Sequence, residues 1–252
     1  RANPKVPGSI KFDGSPMELD NGAPDPEREK LQKELAQLNG KMKSLTNNAD
    51  ERFESWLLDM SQAVNQPVEE VPLKVVEFVS EAGDASKELE DGSILLTGDP
   101  ADKDTYELTL QGVAQNVTGL KLEALTHDSL PGNGPGRGDE SRPNFVLGTF
   151  EVKQHIANAN DDPGTPLKLV RATSDFSQTN YAPNGAIDDD PKTGWAINPQ
   201  FGKPHWAIFE LDEPAQRNRR TEWVVRMVQN CGGGRSIGRV RITALTGSLA
   251  AQ

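Results

Sequence analysis

The chain has 252 residues, a formal net charge of −11 and a calculated pI near 4.8. It is long enough for one large domain plus an appendage. The hydrophobic set is 35% of residues and aromatics only 6%. That is a lean core, sufficient for one β-rich domain if part of the chain lies outside it. An acidic chain lacks the positive field that nucleic-acid binding requires, so that class is set aside.

Residues 1–23 are rich in Pro, Gly and Asp and read as an extended lead-in. Residues 24–66 read as a helical, coiled-coil-like hairpin that would act as a spacer. Asp25 is a candidate N-cap and Pro26 occupies the first helical position. Leu31, Leu35, Leu38, Met42 and Leu45 then alternate at spacings of four and three, a narrow apolar seam. After a polar break at 46–50, Phe53, Trp56, Leu57, Met60 and Val64 share one face of a second amphipathic segment.

From residue 68 to 248 the pattern becomes short strands separated by turn residues. Candidates are LKVVEFV, SILLTG, TYELTLQ, VTGLKLEAL, NFVLGTFEV, LKLVRATS, HWAIFEL, TEWVVRMVQ and GRVRITAL. Tyr106, Leu108 and Leu110 alternate with Glu107 and Thr109, and Val240 and Ile242 alternate with Arg239 and Arg241. No helical pattern separates the strands, which excludes a parallel α/β sheet and predicts an antiparallel jelly-roll β-sandwich.

The run LPGNGPGRGDESRPNFVL (130–147) contains Arg137-Gly138-Asp139, the tripeptide integrins read. Such recognition needs an exposed loop tip. A phosphate cradle would need a helix opening directly after the glycines, whereas a strand follows. The stretch therefore reads as a long interstrand connection anchored by Arg137 and Asn144. Arg137 either bridges to Glu123 or Asp139 or faces a ligand.

Catalytic motifs are absent from the sequence. His127, His155 and His205 show no metal-ligand spacing, and there is no Gly-x-Ser-x-Gly elbow. The single cysteine, Cys231, sits in QNCGGGR and reads as a buried or incidental thiol. The chain reads as a non-enzyme, with a carboxylate-based hydrolase left open as the alternative because acidic residues are plentiful and none is singled out as a pair. No apolar run is long enough to span a membrane, and the start at Arg1 suggests a piece of a longer protein.

The turn AIDDDPKTGW (Ala186–Trp195), followed by HWAIFEL, resembles the signature of discoidin-type, galactose-binding-like domains. Combined with LEALTHDSLPGNGPGRG…NFVL upstream, it is similar to a region between domains of unknown function in large planctomycete surface proteins that also carry cytochrome-c-like domains. This resemblance implies a bacterial, extracytoplasmic location and flanking domains of the same polypeptide, and leaves the Asn116-Val117-Thr118 sequon silent. It also implies a structural Ca²⁺ held by Gly185 (main chain), Asp188, Asp190 and Thr193. The sequence departs from the pattern at Asp189, where glycine is usual, and at Leu245, where an acidic ligand is frequent. The alternative reading has Asp188 and Thr193 capping the turn through hydrogen bonds.

Candidate ligand-binding residues are Arg137, Asn144, Trp195, Asn198, His205, Trp206 and Arg239. Aromatic faces stack on sugars while polar side chains fix their hydroxyls. Trp195 and Trp206 read more readily as core residues of such a fold, and His205 as an ordinary surface residue at a strand start. Seven arginines and one acid, Glu222, between Arg217 and Arg241 suit an anionic polysaccharide, or pair with the acidic surface of the domain itself. The function expected is a non-catalytic carbohydrate-binding-like or adhesion module. The alternative is a structural interdomain scaffold without a small-molecule ligand.

Overall fold

Two helices come first in the computed structural model, which describes residues 26–47, 49–64, 67–156, 163–216 and 221–249. The expected lead-in, the Asp25 cap and Arg217, Arg219 and Arg220 lie outside these residues. Helix α1 spans Pro26–Asn47, and Glu27 and Glu29 in its first turn favour the positive end of the helix dipole. Helix α2 spans Ala49–Val64, so Thr46, Asn47, Ala49 and Asp50, expected in a polar break, are helical. Leu31, Leu35, Leu38 and Met42 on α1 are exposed, as are Phe53, Trp56 and Leu57 on α2. Phe53 and Trp56, one turn apart, stack with ring centroids 5.8 Å from each other. The side chains of Leu45, Met60 and Val64 lie outside the described set. No described helix is long and apolar enough to cross a membrane.

The chain divides into two compact units at Asp59/Met60. The second is mainly β: β1 (Glu69–Pro72), β2 (Lys74–Ser80), β3 (Ala85–Glu88), β4 (Ile94–Thr97), β5 (Asp104–Gln111), β6 (Val117–Ala124) and β7 (Val146–Leu147) come first. They are followed by β8 (Thr149–Ile156), β9 (Thr165–Leu167), β10 (Leu169–Ser174), β11 (Trp195–Ala196), β12 (His205–Ala215), β13 (Thr221–Gln229) and β14 (Arg239–Thr246). One sheet has the order β10-β12-β6-β14-β4-β3, with β1 also paired to β14; the other runs β2-β5-β13-β8-β9. The strands β7 and β11 form a separate two-stranded pair. All strand pairs are antiparallel.

The two large sheets enclose one core, as the alternation predicts. Tyr106, Leu108 and Leu110 of β5 are fully buried while Glu107 between them is exposed. Trp223, Val225 and Met227 of β13 meet Leu120 and Leu122 of β6 and Val240 and Ile242 of β14 in that core. Phe150 of β8 stacks on Phe209 of β12 across the two layers, with centroids 3.9 Å apart. Each such side chain contributes about 1.5–3 kcal/mol by leaving water, so inward faces decide the register of every strand.

Two expected strands are divided. NFVLGTFEV breaks at Gly148, whose N–H turns to Val228 O (2.8 Å), leaving β7 and β8. LKLVRATS is shared between β9 and β10, which belong to different sheets. Alternation identifies a strand's two faces but not the sheet it joins. The short strands β1, β3 and β11 were not anticipated; β3 is fully exposed and polar, typical of a sheet edge.

Candidate functional site

Four loops converge at one end of the sandwich: β6–β7, β10–β11, β11–β12 and β13–β14. Between them lies an open pocket of about 410 Å³, lined by Asp139, Arg142, Asn144, Val146, Gln178, Tyr181, Asn198, Phe201, Cys231 and Arg235. That volume falls in the range of small-ligand sites.

The long 130–147 loop supplies the first wall. Gly136 bridges to Ile237, and the Arg137 N–H donates to Ser236 O at 2.8 Å. A side chain at 136 would drive into Asn144 O, 2.2 Å from an ideal Cβ, so only glycine permits this approach. Arg137 itself is 2% exposed and forms a buried ion pair with Asp84; its Nη2 also donates to Gly98 O at 3.1 Å. The partner is neither Glu123 nor Asp139. Burial of Arg137 also removes the Arg-Gly-Asp tripeptide from presentation at a loop tip.

Asn144 stitches the loops together. Its Oδ1 accepts from Ile197 N–H (3.1 Å) and its Nδ2 donates to Gln178 Oε1 (3.2 Å). Asn198 is exposed on the β11–β12 loop, so the fold brings these two predicted residues to one pocket. Arg142 and Arg235 are exposed on its rim and form no ion pair among the described residues. Arg235 Nη1 lies 3.4 Å from Gly232 O and 3.7 Å from Cys231 Sγ. Cys231 is exposed, which corrects the expectation of a buried thiol. Asp139 accepts from the Ser141 hydroxyl and from the Ser141 and Arg142 N–H groups. The Ser141 hydroxyl, aided by those N–H groups and the Arg142 charge, holds its carboxyl below the usual range. Tyr181 and Phe201 are half-buried and supply ring surface.

The other predicted ligand residues lie elsewhere. Trp195 is fully buried, packs edge-on against Phe145 at 4.9 Å and donates from Nε1 to Phe176 O (2.9 Å). It is a core residue because the β11 backbone turns it inward beneath the pocket. His205, expected at the surface, is also buried: Nδ1 lies 2.7 Å from Asp175 Oδ2 and Nε2 2.7 Å from Gln200 O, so both nitrogens are occupied. Trp206 points the opposite way, onto an outer-face cluster with Ile208, Leu245, Leu249 and Val68. Arg239 is committed to Asp91 (2.7 Å), Ser93 Oγ (2.8 Å) and Thr126 O (3.0 Å). Arg241 likewise pairs with Glu123 at 2.7 Å and Arg226 with Glu81 at 3.2 Å. The described part of the arginine cluster, Arg235 apart, is therefore matched by the domain's own acids.

The turn at 185–193 has a distinct geometry. Thr193 Oγ1 lies 2.9 Å from Gly185 O, 2.7 Å from Asp188 Oδ1 and 2.8 Å from Asp190 O. A hydroxyl has one proton, so it satisfies one of these three acceptors. Gly185 is needed for close approach, since a Cβ there would sit 2.6 Å from Gly194 N. Asp189 adopts φ +61°, the left-handed conformation that the usual glycine at this position would take without strain. Leu245 is buried in the outer-face cluster and offers no side-chain oxygen. Among the described residues no three His, Cys, Asp or Glu side chains gather as a metal cluster.

Arg142, Gln178, Tyr181, Phe201 and Arg235 were not anticipated as site residues. They come from four loops spread over 94 positions of sequence, 142 to 235. No local motif marks them; only Arg235 had a signal, as a member of the arginine-rich segment. No family model, curated protein or solved structure matches the chain.

Proposed function

We propose that the β-rich unit is a non-catalytic carbohydrate-binding-like or adhesion module of the galactose-binding-like, jelly-roll class, whose ligand is an anionic polysaccharide. Its setting in this reading is a larger extracytoplasmic bacterial protein of planctomycete type. The observation that carries the proposal is the loop-end pocket, where the rim guanidiniums of Arg142 and Arg235 flank Tyr181 and Phe201. Guanidinium forks match carboxylate and sulfate oxygens two at a time, ring faces stack on sugar C–H surfaces, and Asn198 and Gln178 suit hydroxyls.

Calcium belongs to the same reading. Gly185 O, Asp188 Oδ1 and Asp190 O converge within 2.9 Å of Thr193 Oγ1, and a hard cation takes such oxygens as ligands. Gly185 O, the Asp188 carboxylate, Asp190 and Thr193 Oγ1 would hold it, and the ion would supply rigidity to the turn rather than chemistry.

The test is a glycan array run with and without calcium, followed by titration of uronate and sulfated polysaccharides. Binding that weakens with salt and is lost in Arg142→Ala/Arg235→Ala supports the module; an array without hits sinks it. A melting shift with calcium that disappears in Asp188→Asn supports the ion, and calorimetry without heat counts against it. The second reading, a structural interdomain scaffold, is favoured by the exposed apolar faces of α1 and α2 and predicts the empty array.

A further inference from the structure

The apolar seam of α1 is exposed along its described length, from Leu31 at 60% to Met42 at 64%. We propose that α1 pairs with α1 of a second copy of this chain as an antiparallel two-stranded coiled coil. This goes beyond the module reading and does not depend on it. A 22-residue helix is about 33 Å long and marginal in water by itself, so an uncovered stripe of large side chains calls for a partner surface.

The heptad reading settles which partner and which orientation. Spacings of four, three and four place Leu35 and Met42 at a, Leu31 and Leu38 at d. Positions g then hold Glu27, Glu34 and Lys41, positions e hold Gln32, Asn39 and Thr46, and Arg28 falls at the first a. In an antiparallel pair, a packs against d of the other helix and g flanks g. Stacking all four described seam residues sets Leu31 over Met42 and Leu35 over Leu38, each twice by symmetry. The same register puts Glu34 beside Lys41 of the second copy, again twice. Sliding by one heptad stacks Lys41 on Lys41 in one direction; in the other it stacks Glu34 on Glu34, sets Arg28 over Leu38 and takes Met42 out of the seam, although Glu27 then meets Lys41. In a parallel pair, g faces the e position five residues on, so Glu34 meets Asn39 and Lys41 meets Thr46, without charge pairing. Complementary charge thus selects a second copy in the antiparallel orientation, and the stacking of all four seam residues selects the register.

Sedimentation equilibrium of the full chain from about 5 to 200 µM, a range suited to weak dimers, tests this. Wild type is expected to dimerise reversibly. Glu34→Lys turns both attractive pairs repulsive and is expected to weaken the dimer at least about tenfold. Glu34→Lys/Lys41→Glu exchanges the charges and restores the wild-type constant. Leu38→Asp is expected to yield monomer, with far-ultraviolet circular dichroism confirming that the β-rich unit stays folded. A monomer at the highest concentration overturns the proposal; so does a dimer indifferent to Glu34→Lys, or one that the double exchange fails to restore.

Discussion

Replacing Arg137 by Met removes a cation from a nearly dry site while keeping most of its apolar stem. The Arg137 and Asp84 side chains are 2% and 9% exposed, so water screens their pair little. Removing one member of a buried pair strands the other charge, at about 3–5 kcal/mol. Gly98 O also loses its 3.1 Å donor; the 3.4 Å contact to Thr97 O is too long to add much. A domain of this size has about 5–15 kcal/mol of total stability, so the loss is a large fraction of it. For such a domain it corresponds to a fall in Tm of about 6–20 °C. Calorimetric melting of Arg137→Met, Asp84→Asn and the double variant measures it. The double variant is expected to recover part of the Arg137→Met loss, because a neutral amide no longer needs the cation. If Arg137→Met melts within about 2 °C of wild type, the pin is not buried as described and the reasoning fails. Since the neighbouring backbone holds the pocket's wall against Ser236, this variant is also expected to weaken any ligand bound there.

Other perturbations probe the turns and the charged face. Asp189→Gly is expected to change stability by under about 0.5 kcal/mol, whereas Asp189→Val, a β-branched residue at φ +61°, costs about 1–2 kcal/mol by urea denaturation. Gly185→Ala pushes a methyl into the Gly194 backbone and is expected to destabilise by about 1–3 kcal/mol; an unchanged urea midpoint would refute that packing. Burial pushes the Asp91 carboxyl up, but the Ser93 hydroxyl and N–H with Arg239 and Arg241 outweigh it and leave it below its usual 3.8. A depressed folded value means stability present above pH 3.8 and lost as pH falls through the folded value. Melting temperature should therefore drop below about pH 4, and Asp91→Asn should flatten that drop; parallel acid curves for the two proteins would contradict it.

Patterns that a few adjacent residues can express were legible in the chain. The alternation of Tyr106, Leu108 and Leu110, the spacing of Leu31 to Met42, and Pro26 at the helix start led to the antiparallel β-rich unit and the two helices. Asn144 as a loop anchor was readable because an asparagine after a glycine-rich run, just before a strand, suits side-chain to backbone bonding. Trp195 and His205 were harder, since an aromatic at a turn's end suits both a core and a platform until the direction of its backbone is known.

What the sequence by itself determined is the type of each element and which face of each strand is apolar, because those depend on period and local propensity. Only the tertiary structure decided that LKLVRATS divides between two sheets, that Arg137 turns inward to Asp84, and that Arg142, Tyr181, Phe201 and Arg235 share one pocket. These are choices among partners distant along the chain: 53 positions separate Arg137 from Asp84. A charge or a ring is compatible with many such partners, and sheet packing alone brings one of them within reach.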